Sequence, residues 1–184
     1  MRRAIFLDRD NTIIHNDGHL GDPDAVHLMD GVADALVRMR EAGFDLIVVT
    51  NQSGVARGLF TEDDVKAVHR SIDDSIAQAT GRDDIILGWY YSPWHPEAVI
   101  QAYKGDHPTR KPEPGMLTQA AEDHDIDLKS SWMVGDQERD VEAGMAAGCR
   151  SIRLANDKTG TRAELRCPTL TEATDHILME STAQ

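Results

Sequence analysis

The sequence predicts an α/β fold, a Rossmann-like three-layer sandwich built around a mainly parallel sheet of five to six strands. Short apolar runs alternate with segments of helical periodicity, which is the pattern of parallel strands joined by single helices. One of these runs, Leu46–Val49, is apolar throughout, as expected of a strand buried on both faces. The chain is 40% hydrophobic and 28% charged, which is typical of a globular protein.

The first half of the chain predicts three strands and two helices. Ala4–Leu7 begins the sheet and is followed by a polar loop. Asp30 is expected to cap the first helix and Gly43 to end it, with an apolar face of Val32, Leu36 and Met39. The second helix is expected to start at Thr61 and end at Gly81, with an apolar stripe of Val65, Val68, Ile72 and Ile76. The strands that follow these two helices are predicted at Leu46–Val49 and Ile85–Tyr91.

The second half opens with an irregular segment and then returns to alternation. Residues 92–110 contain three prolines and two histidines and show little periodicity. A stretch of this length without regular structure is usually functional or mobile. The remaining predicted elements are a helix from Pro114 to about Asp123, a strand Trp132–Val134, a helix Gln137–Ala147 ended by Gly148, a strand Ser151–Leu154, a short edge strand around Thr169 and a terminal helix.

The composition excludes several classes of protein. The formal net charge of −13 would repel nucleic acid and anionic membranes, and no apolar run has membrane-spanning length. The four apolar residues Ala4–Leu7 are too few for the core of a signal peptide. Cys149 and Cys167 lack the spacing of a zinc knuckle and are too few for a disulfide framework. We therefore expect a single domain over residues 1–184, cytoplasmic and monomeric, with no nucleic-acid or membrane partner.

Three polar clusters directly follow apolar strands, namely Asp8–Thr12, Thr50–Gly54 and Gly135–Asp140. Because binding sites of open parallel sheets lie beyond the carboxyl ends of the strands, these clusters are expected to converge on one edge. Asp8 and Asp10 project from the same side of an extended segment. One carboxylate could attack phosphorus while the other transfers a proton, or both could bind a divalent cation. An isolated Asp-x-Asp is more often a solvated turn after a strand.

The other clusters add groups that suit phosphoryl transfer. Thr50–Gly54 offers short hydroxyl and amide side chains as a cradle for phosphate oxygens, although an ordinary turn would look the same. Lys111 could place a fixed positive charge on a phosphoryl group, or could be a solvated cation in a helix-entry loop. Asp136 could bind magnesium with Asp140 one helical turn on, or could simply cap the helix. The combination in this order is less easily produced by chance than any one cluster.

These four clusters resemble those of the haloacid dehalogenase (HAD) superfamily, specifically its phosphatases with an aspartate nucleophile. The resemblance implies a Rossmann-like fold, a requirement for Mg²⁺ and an aspartyl-phosphate intermediate. The segment from Asp8 to Thr50 has room for only a loop and one helix, so we expect no inserted cap domain. The resemblance also implies that Asp8 is the nucleophile and a magnesium ligand. Asp10 would be the general acid and base and would offer magnesium its backbone carbonyl. The remaining implied roles are phosphoryl binding by Thr50 or Ser53 and by Lys111, metal binding by Asp136 and support of the metal site by Asp140.

The segments Ile5–Asp10, Val48–Gly58 and Arg110–Met116 more closely resemble the family of heptose 1,7-bisphosphate 7-phosphatases and, less closely, the histidinol phosphatases. The resemblance implies a small phosphorylated metabolite as substrate, with residues 92–110 as a partial lid. A histidinol phosphatase or another sugar phosphatase stays an alternative, and a phosphomutase or a non-catalytic protein is less favoured. The implied substrate contacts are Asn16, Asp17, Gly18, His19, Asn51, Gln52, Arg57 and Arg110.

The sequence departs from these relatives in the loop at residues 92–110. They carry Cys-x-His and Cys-x-Cys there as a structural zinc site, whereas this chain has Ser92-Pro93-Trp94 and His107-Pro108-Thr109. Ser, Trp and Thr are not zinc ligands, so no zinc is expected, and the two histidines of the loop are expected to be solvated. Asn11 also replaces a usual Gly, and Gln137 stands where a Lys often follows the aspartate of the motif.

Overall fold

Six parallel strands form one sheet in the computed structural model, which describes residues 1–157 and 159–182. The order across the sheet is β3-β2-β1-β4-β5-β6. The strands are β1 (Ala4–Leu7), β2 (Asp45–Asn51), β3 (Ile86–Ser92), β4 (Trp132–Gly135), β5 (Arg150–Leu154) and β6 (Leu165–Cys167). The α/β prediction with a mainly parallel sheet is confirmed, at the upper end of the expected strand number.

Helices cover both faces of this sheet, and they are α1 (Val32–Glu41), α2 (Glu62–Thr80), α3 (Gly115–His124), α4 (Glu138–Ala147) and α5 (Leu170–Thr182). Ile5 and Leu7 of β1 pack into a core under α1, α2 and α5, whereas Ala4 and Phe6 pack into a second core under α3 and α4. The alternation follows from the two-residue repeat of a strand, and it explains why β1 is apolar at every position.

The order of the strands places a switch point between β1 and β4. The chain leaves β1 toward β2 and β3 on one side and returns to β4 on the other side. Leu7 of β1 pairs with Val134 of β4, so the residues after both strands emerge side by side. A crevice for ligands forms at such a point in open α/β sheets. Asp8 and Asp136 therefore start on opposite walls of one crevice.

The ends of α1 and α2 test the predicted helix caps. Thr61 caps α2, its hydroxyl accepting the Asp64 N–H at 3.2 Å, and Gly81 ends the helix at φ 73° as expected. The predicted cap at Asp30 is wrong, because Gly31 takes the N-cap position at φ 75° without a side-chain hydrogen bond. Glycine adopts this left-handed conformation at little cost, so the turn itself starts α1.

The carboxyl-terminal prediction needs a shift of a few residues. The edge strand lies at Leu165–Cys167, and Thr169 lies beyond it. The Thr169 hydroxyl accepts the Glu172 N–H at 3.2 Å, which satisfies a donor in the first turn of α5. The Thr169 hydroxyl is therefore used at the start of a helix and not in a strand. Within residues 1–157 and 159–182, none of the helices combines the length and the apolar character needed to cross a membrane.

Candidate active site

A cavity of about 330 Å³ opens at the carboxyl ends of the strands. It is strongly polar and brings together residues from all four sequence clusters. The convergence that the sequence predicted is therefore present in the fold. The sequence-predicted residues that line the cavity are Asp8, Asp10, Asn16, Gly18, His19, Asn51, Gln52, Ser53, Arg57, Arg110, Lys111 and Asp136.

Lys111 is buried at the floor of the cavity, with only 1% of its surface exposed. Its Nζ lies 2.6 Å from Asp8 Oδ1 and 2.7 Å from Asp140 Oδ1, and it donates to the Val49 carbonyl at 2.7 Å. Burial by itself would lower the pKa of Lys111, but the two carboxylates raise it above its ordinary value. The lysine is thus held as a fixed cation between two acids.

Asn51 holds the backbone of this lysine in place. Its Oδ1 accepts the Lys111 N–H at 3.0 Å and its Nδ2 donates to the Lys111 carbonyl at 2.9 Å. The side chain at the end of β2 therefore joins a segment sixty residues away along the chain. The sequence resemblance assigned Asn51 to substrate contact, and the structure adds that it positions Lys111.

Asp8 is nearly buried directly after β1. Burial raises the pKa of its carboxyl to about 7; Lys111 opposes this shift, while the charges of Asp140 and Asp10 add to it. Asp8 and Asp140 are two carboxylates that share the single Lys111 cation. A cation beside Asp8 would relieve the excess.

Three carboxylates at the switch point provide such a cation site. Asp8, Asp136 and Asp140 each offer an oxygen within 4.8 Å of the others, and carboxylate oxygens are the protein ligands that Mg²⁺ prefers. Asp136 does not cap α4, since Gln137 occupies the N-cap position. A Cβ on Gly135 would lie 2.4 Å from Asp140 Oδ2, so only glycine leaves room for that carboxylate. The residues present therefore fit Mg²⁺.

The Asp10 side chain faces a different set of partners. Its Oδ1 accepts from Arg9 Nε at 3.1 Å, from Arg9 Nη2 at 2.9 Å and from Asn16 Nδ2 at 2.8 Å. Its Oδ2 accepts from Gln52 Nε2 at 2.8 Å. Arg9 is fully buried, so its charge is poorly screened. This side chain is oriented at the cavity wall and lies outside the cluster of Asp8, Asp136 and Asp140.

Asn11 explains one departure from the family pattern. It adopts φ 58°, in the left-handed region where Gly is favoured and Asn is the most tolerated substitute. Its Oδ1 accepts the Asn16 N–H at 3.1 Å and its Nδ2 donates to the Asn16 carbonyl at 2.9 Å. These bonds fix the loop that brings the Asn16 amide to Asp10, which a glycine could not do.

Three arginines lie at the mouth of the cavity, namely Arg57, Arg110 and Arg139. Arg110 donates to the Trp94 carbonyl at 3.0 Å, and Arg57 lies 3.3 Å from His95 Nε2. Within the described residues, none of the three arginines forms an ion pair with a carboxylate. In a chain of net charge −13 this is a local excess of positive charge that suits an anion.

Some placements differ from the sequence-based expectations. Thr50 does not line the cavity; it is fully buried, and its hydroxyl accepts from Gln52 Nε2 at 2.9 Å. Asp17 and Asp140 are also outside the lining, Asp140 because it lies behind Lys111. Sequence reasoning missed four lining residues, which are Asn11, His95, Gln137 and Arg139. The available signal for Arg139 was its position in the first turn of a helix that follows a strand-end aspartate.

Comparison with known proteins agrees with this geometry. The Hydrolase_like family model, described as HAD-hydrolase-like, matches residues 108–180. A D-glycero-beta-D-manno-heptose-1,7-bisphosphate 7-phosphatase of Rhodopseudomonas palustris is 40% identical over 157 residues, which are 85% of this chain and 85% of that protein. The protein of the same name from Escherichia coli K12 is 43% identical over 144 residues, covering 78% of this chain and 74% of that protein.

Two solved phosphatase structures are similar to this chain over nearly its whole length. The D,D-heptose 1,7-bisphosphate phosphatase of B. bronchiseptica, complexed with magnesium and phosphate, superimposes with a TM-score of 0.81 at 28% identity and covers 97% of this chain and 99% of that one. A protein described as a HAD-like phosphatase from Mesorhizobium loti gives a TM-score of 0.86 at 28% identity, covering 99% and 87% of the two chains.

Proposed function

The chain belongs to the family of HAD-like phosphatases that these relatives represent, and we propose that it removes the 7-phosphate of D-glycero-D-manno-heptose 1,7-bisphosphate with Mg²⁺. The enzyme class follows from the family. The observation that carries the proposed chemistry is the buried contact of Lys111 with Asp8, 2.6 Å long, beside the metal-binding carboxylates. The relatives' names motivate the choice of substrate.

We propose that Asp8 is the nucleophile of the first step. A carboxylate oxygen attacks phosphorus, the bond from phosphorus to the sugar oxygen breaks, and Asp10 donates a proton to that departing oxygen. Lys111 and the Ser53 hydroxyl, which both line the cavity, are placed to bind the phosphoryl oxygens. Asp8, Asp136 and the Asp10 backbone carbonyl would hold Mg²⁺, with the Asp140 carboxylate supporting them, and the bound ion would neutralise charge at the phosphoryl group.

The second step returns Asp8 to its free form. Water attacks phosphorus, Asp10 accepts the proton of that water, and the acyl-phosphate bond breaks to release inorganic phosphate. The contacts of Asp10 support this role, because Arg9, Asn16 and Gln52 all donate to its carboxylate and fix its direction. The same oxygens that accept this proton would deliver it in the next turnover.

The three arginines at the cavity mouth support a substrate with a second phosphate. Arginine binds phosphate oxygens through parallel N–H donors, and Arg57, Arg110 and Arg139 form no ion pair with a carboxylate among the described residues. The same charges would repel the amine of histidinol phosphate, which makes that substrate the weaker candidate. We further propose that the enzyme is monomeric and cytoplasmic.

A comparison of substrates tests the proposed function directly. With Mg²⁺ present, kcat/KM is measured for both anomers of the heptose 1,7-bisphosphate, for histidinol phosphate and for a panel of sugar monophosphates. We expect kcat/KM for the bisphosphate to exceed that for the monophosphates by at least about tenfold, which is the gain in affinity expected from one charge-assisted hydrogen bond to the second phosphate. Equal values for monophosphates and bisphosphate would contradict the substrate proposal while leaving the phosphatase class intact.

The Asp10→Asn variant tests the proton-transfer role. We expect it to bind the bisphosphate with nearly unchanged affinity but to lose about 10²–10⁴-fold in kcat, the usual contribution of a general acid–base group. Binding is measured calorimetrically with Ca²⁺ in place of Mg²⁺, and kcat from phosphate release. An equal fall in affinity would instead indicate that Asp10 acts mainly in binding.

The Arg139→Gln variant tests the second-phosphate contact, which the sequence resemblance did not include. We expect KM for the heptose bisphosphate to rise about tenfold while kcat stays within about twofold, because the contact is equally strong before and during the reaction. KM for p-nitrophenyl phosphate should be unaffected. Arg38→Gln on α1 removes the same charge far from the cavity and should leave both values unchanged.

A further inference from the structure

The loop between β3 and α3 is closed by four residues that form a clasp, namely Ser92, Trp94, His107 and Thr109. The rings of Trp94 and His107 stack at 4.5 Å with an interplanar angle of 4°. His107 Nδ1 lies 2.7 Å from the Thr109 hydroxyl, which in turn lies 3.1 Å from the Ser92 hydroxyl. One continuous chain of contacts therefore joins the two ends of the loop.

The sequence resemblance implies a zinc site at these four positions. Their chemistry does not fit zinc here, because two hydroxyls and one imidazole stand in place of three thiolates, and an indole stands in place of the imidazole. The imidazole of the clasp, His107, is already used: its Nδ1 accepts the Thr109 N–H at 3.3 Å and contacts the Thr109 hydroxyl, while its ring face covers Trp94. The expectation that this histidine is merely solvated is not met.

A second contact fastens the loop to the core. Tyr103 packs edge-on against Trp94 with ring centroids 6.1 Å apart, and its hydroxyl donates to Glu62 Oε1 at 2.6 Å. Tyr91 of β3 donates to the other oxygen of Glu62, also at 2.6 Å. Trp94 thus has two ring partners, His107 within the clasp and Tyr103, and Tyr103 links it to Glu62 at the start of α2.

The clasp ends at the substrate cavity. The Trp94 carbonyl accepts from Arg110 at 3.0 Å, and Arg110 follows Thr109 directly. The position of this carbonyl is fixed by the stacked Trp94 ring, and the carbonyl fixes one side of the guanidinium. An Arg110 side chain released from the carbonyl would have to lose more conformational entropy when it binds phosphate.

We propose that Trp94 and His107 are positioning residues that close the loop without a metal ion and hold Arg110 in the direction of the substrate's second phosphate. This inference rests on the proposed bisphosphatase function. It assigns to an aromatic stack and a hydrogen-bond chain the structural role that the sequence resemblance gives to a zinc site. Trp94 and His107 do not touch the reacting atoms and act only through Arg110.

Kinetics of Trp94→Ala test this role. We expect KM for the heptose 1,7-bisphosphate to rise about tenfold, with kcat within about threefold and KM for p-nitrophenyl phosphate within about twofold. Trp94→Phe retains a stacking ring and should restore most of the affinity. A KM for the bisphosphate that stays within about twofold of the wild-type value in Trp94→Ala overturns the proposal, as does an equal rise for both substrates.

Trp89→Ala is the matched control. Trp89 stacks on His69 with ring centroids 4.3 Å apart, so this variant loses a second Trp–His pair, which contacts neither Arg110 nor a residue of the clasp directly. It should leave the ratio of the two KM values unchanged even where its melting temperature falls. A change of the ratio equal to that in Trp94→Ala would show that any weakening of β3 has the same effect, against the proposal.

Metal analysis and proteolysis separate the clasp from the proposed function. Wild-type protein treated with a chelator and then supplied with Mg²⁺ alone should recover full activity, and zinc should be far below one ion per chain. Stoichiometric zinc that is lost in His107→Ala would overturn the metal-free closure.

Proteolysis tests the clasp independently of substrate binding. Trypsin should cut after the exposed Lys104 faster in Trp94→Ala than in Trp89→Ala. Equal cleavage rates in the two variants would count against the clasp. This readout holds even if the wild-type enzyme does not prefer the bisphosphate, a result that would defeat only the proposed function.

Discussion

Asp8→Asn should reduce phosphate release by at least about 10⁴-fold, because it removes the nucleophile on which both proposed steps depend. The fold should not suffer. Burial raises the pKa of Asp8 to about 7, so the ionised carboxylate costs stability in the metal-free protein at pH values above its unfolded-state pKa. A neutral amide of the same shape removes that cost, and Lys111 keeps its contact with Asp140. Around neutral pH and without Mg²⁺, the variant should melt at or above the wild-type temperature.

Two controls make the Asp8 result specific. Asp8→Glu keeps the charge beside Lys111 but displaces the attacking oxygen, and it should also be inactive, which separates nucleophile position from charge. For Asp8→Asn, intact mass before and after the assay excludes deamidation of the introduced asparagine back to aspartate. Phosphate release within about tenfold of the wild-type rate by an Asp8→Asn protein of unchanged mass would contradict covalent catalysis.

The sequence predicted the location of the site because three of the four clusters follow a strand directly. Asp8 after β1 and Asp136 after β4 could be assigned to one edge from the alternation of strands and helices alone, since parallel strands all end at the same edge. Their placement side by side at the switch point depends on the strand order, which the alternation does not give. The shared edge of Asp8 and Asp136 was therefore predicted, and their binding of a metal ion stays a prediction.

Other features of the site depend on distances that no local pattern contains. The hydrogen bonds of Asn51 to the Lys111 backbone join residues sixty apart, and either residue alone looks like part of an ordinary loop. Arg139 is one of several charged residues in α4, and only the packing of that helix shows that it faces the cavity. The stack of Trp94 on His107 is likewise a tertiary contact, so the sequence revealed the missing zinc ligands but not their replacement.

Lys111→Met should impair both stability and catalysis. The side chain lies between two buried acids, so its loss leaves Asp8 and Asp140 without a cation in a nearly dry site. Removing one partner of a buried ion pair costs about 3–5 kcal/mol in free energy of unfolding, which denaturant titration of the metal-free protein measures. Activity should fall by about 10²–10³-fold because a fixed charge on the phosphoryl group is lost.

The double variant Lys111→Met/Asp140→Asn separates these two effects. The substitution at position 140 removes one uncompensated charge, and the oxygen of the new amide can still accept the Gln137 N–H that Asp140 Oδ2 accepts at 2.9 Å. We expect the double variant to regain at least about half of the free energy of unfolding lost by Lys111→Met. Two buried carboxylates without a cation repel each other and therefore cost more than one buried carboxylate. Phosphate release should stay as low as in Lys111→Met. Recovery of activity together with stability would mean that the lysine serves the fold alone, and the proposed phosphoryl contact would then have to be assigned to another residue.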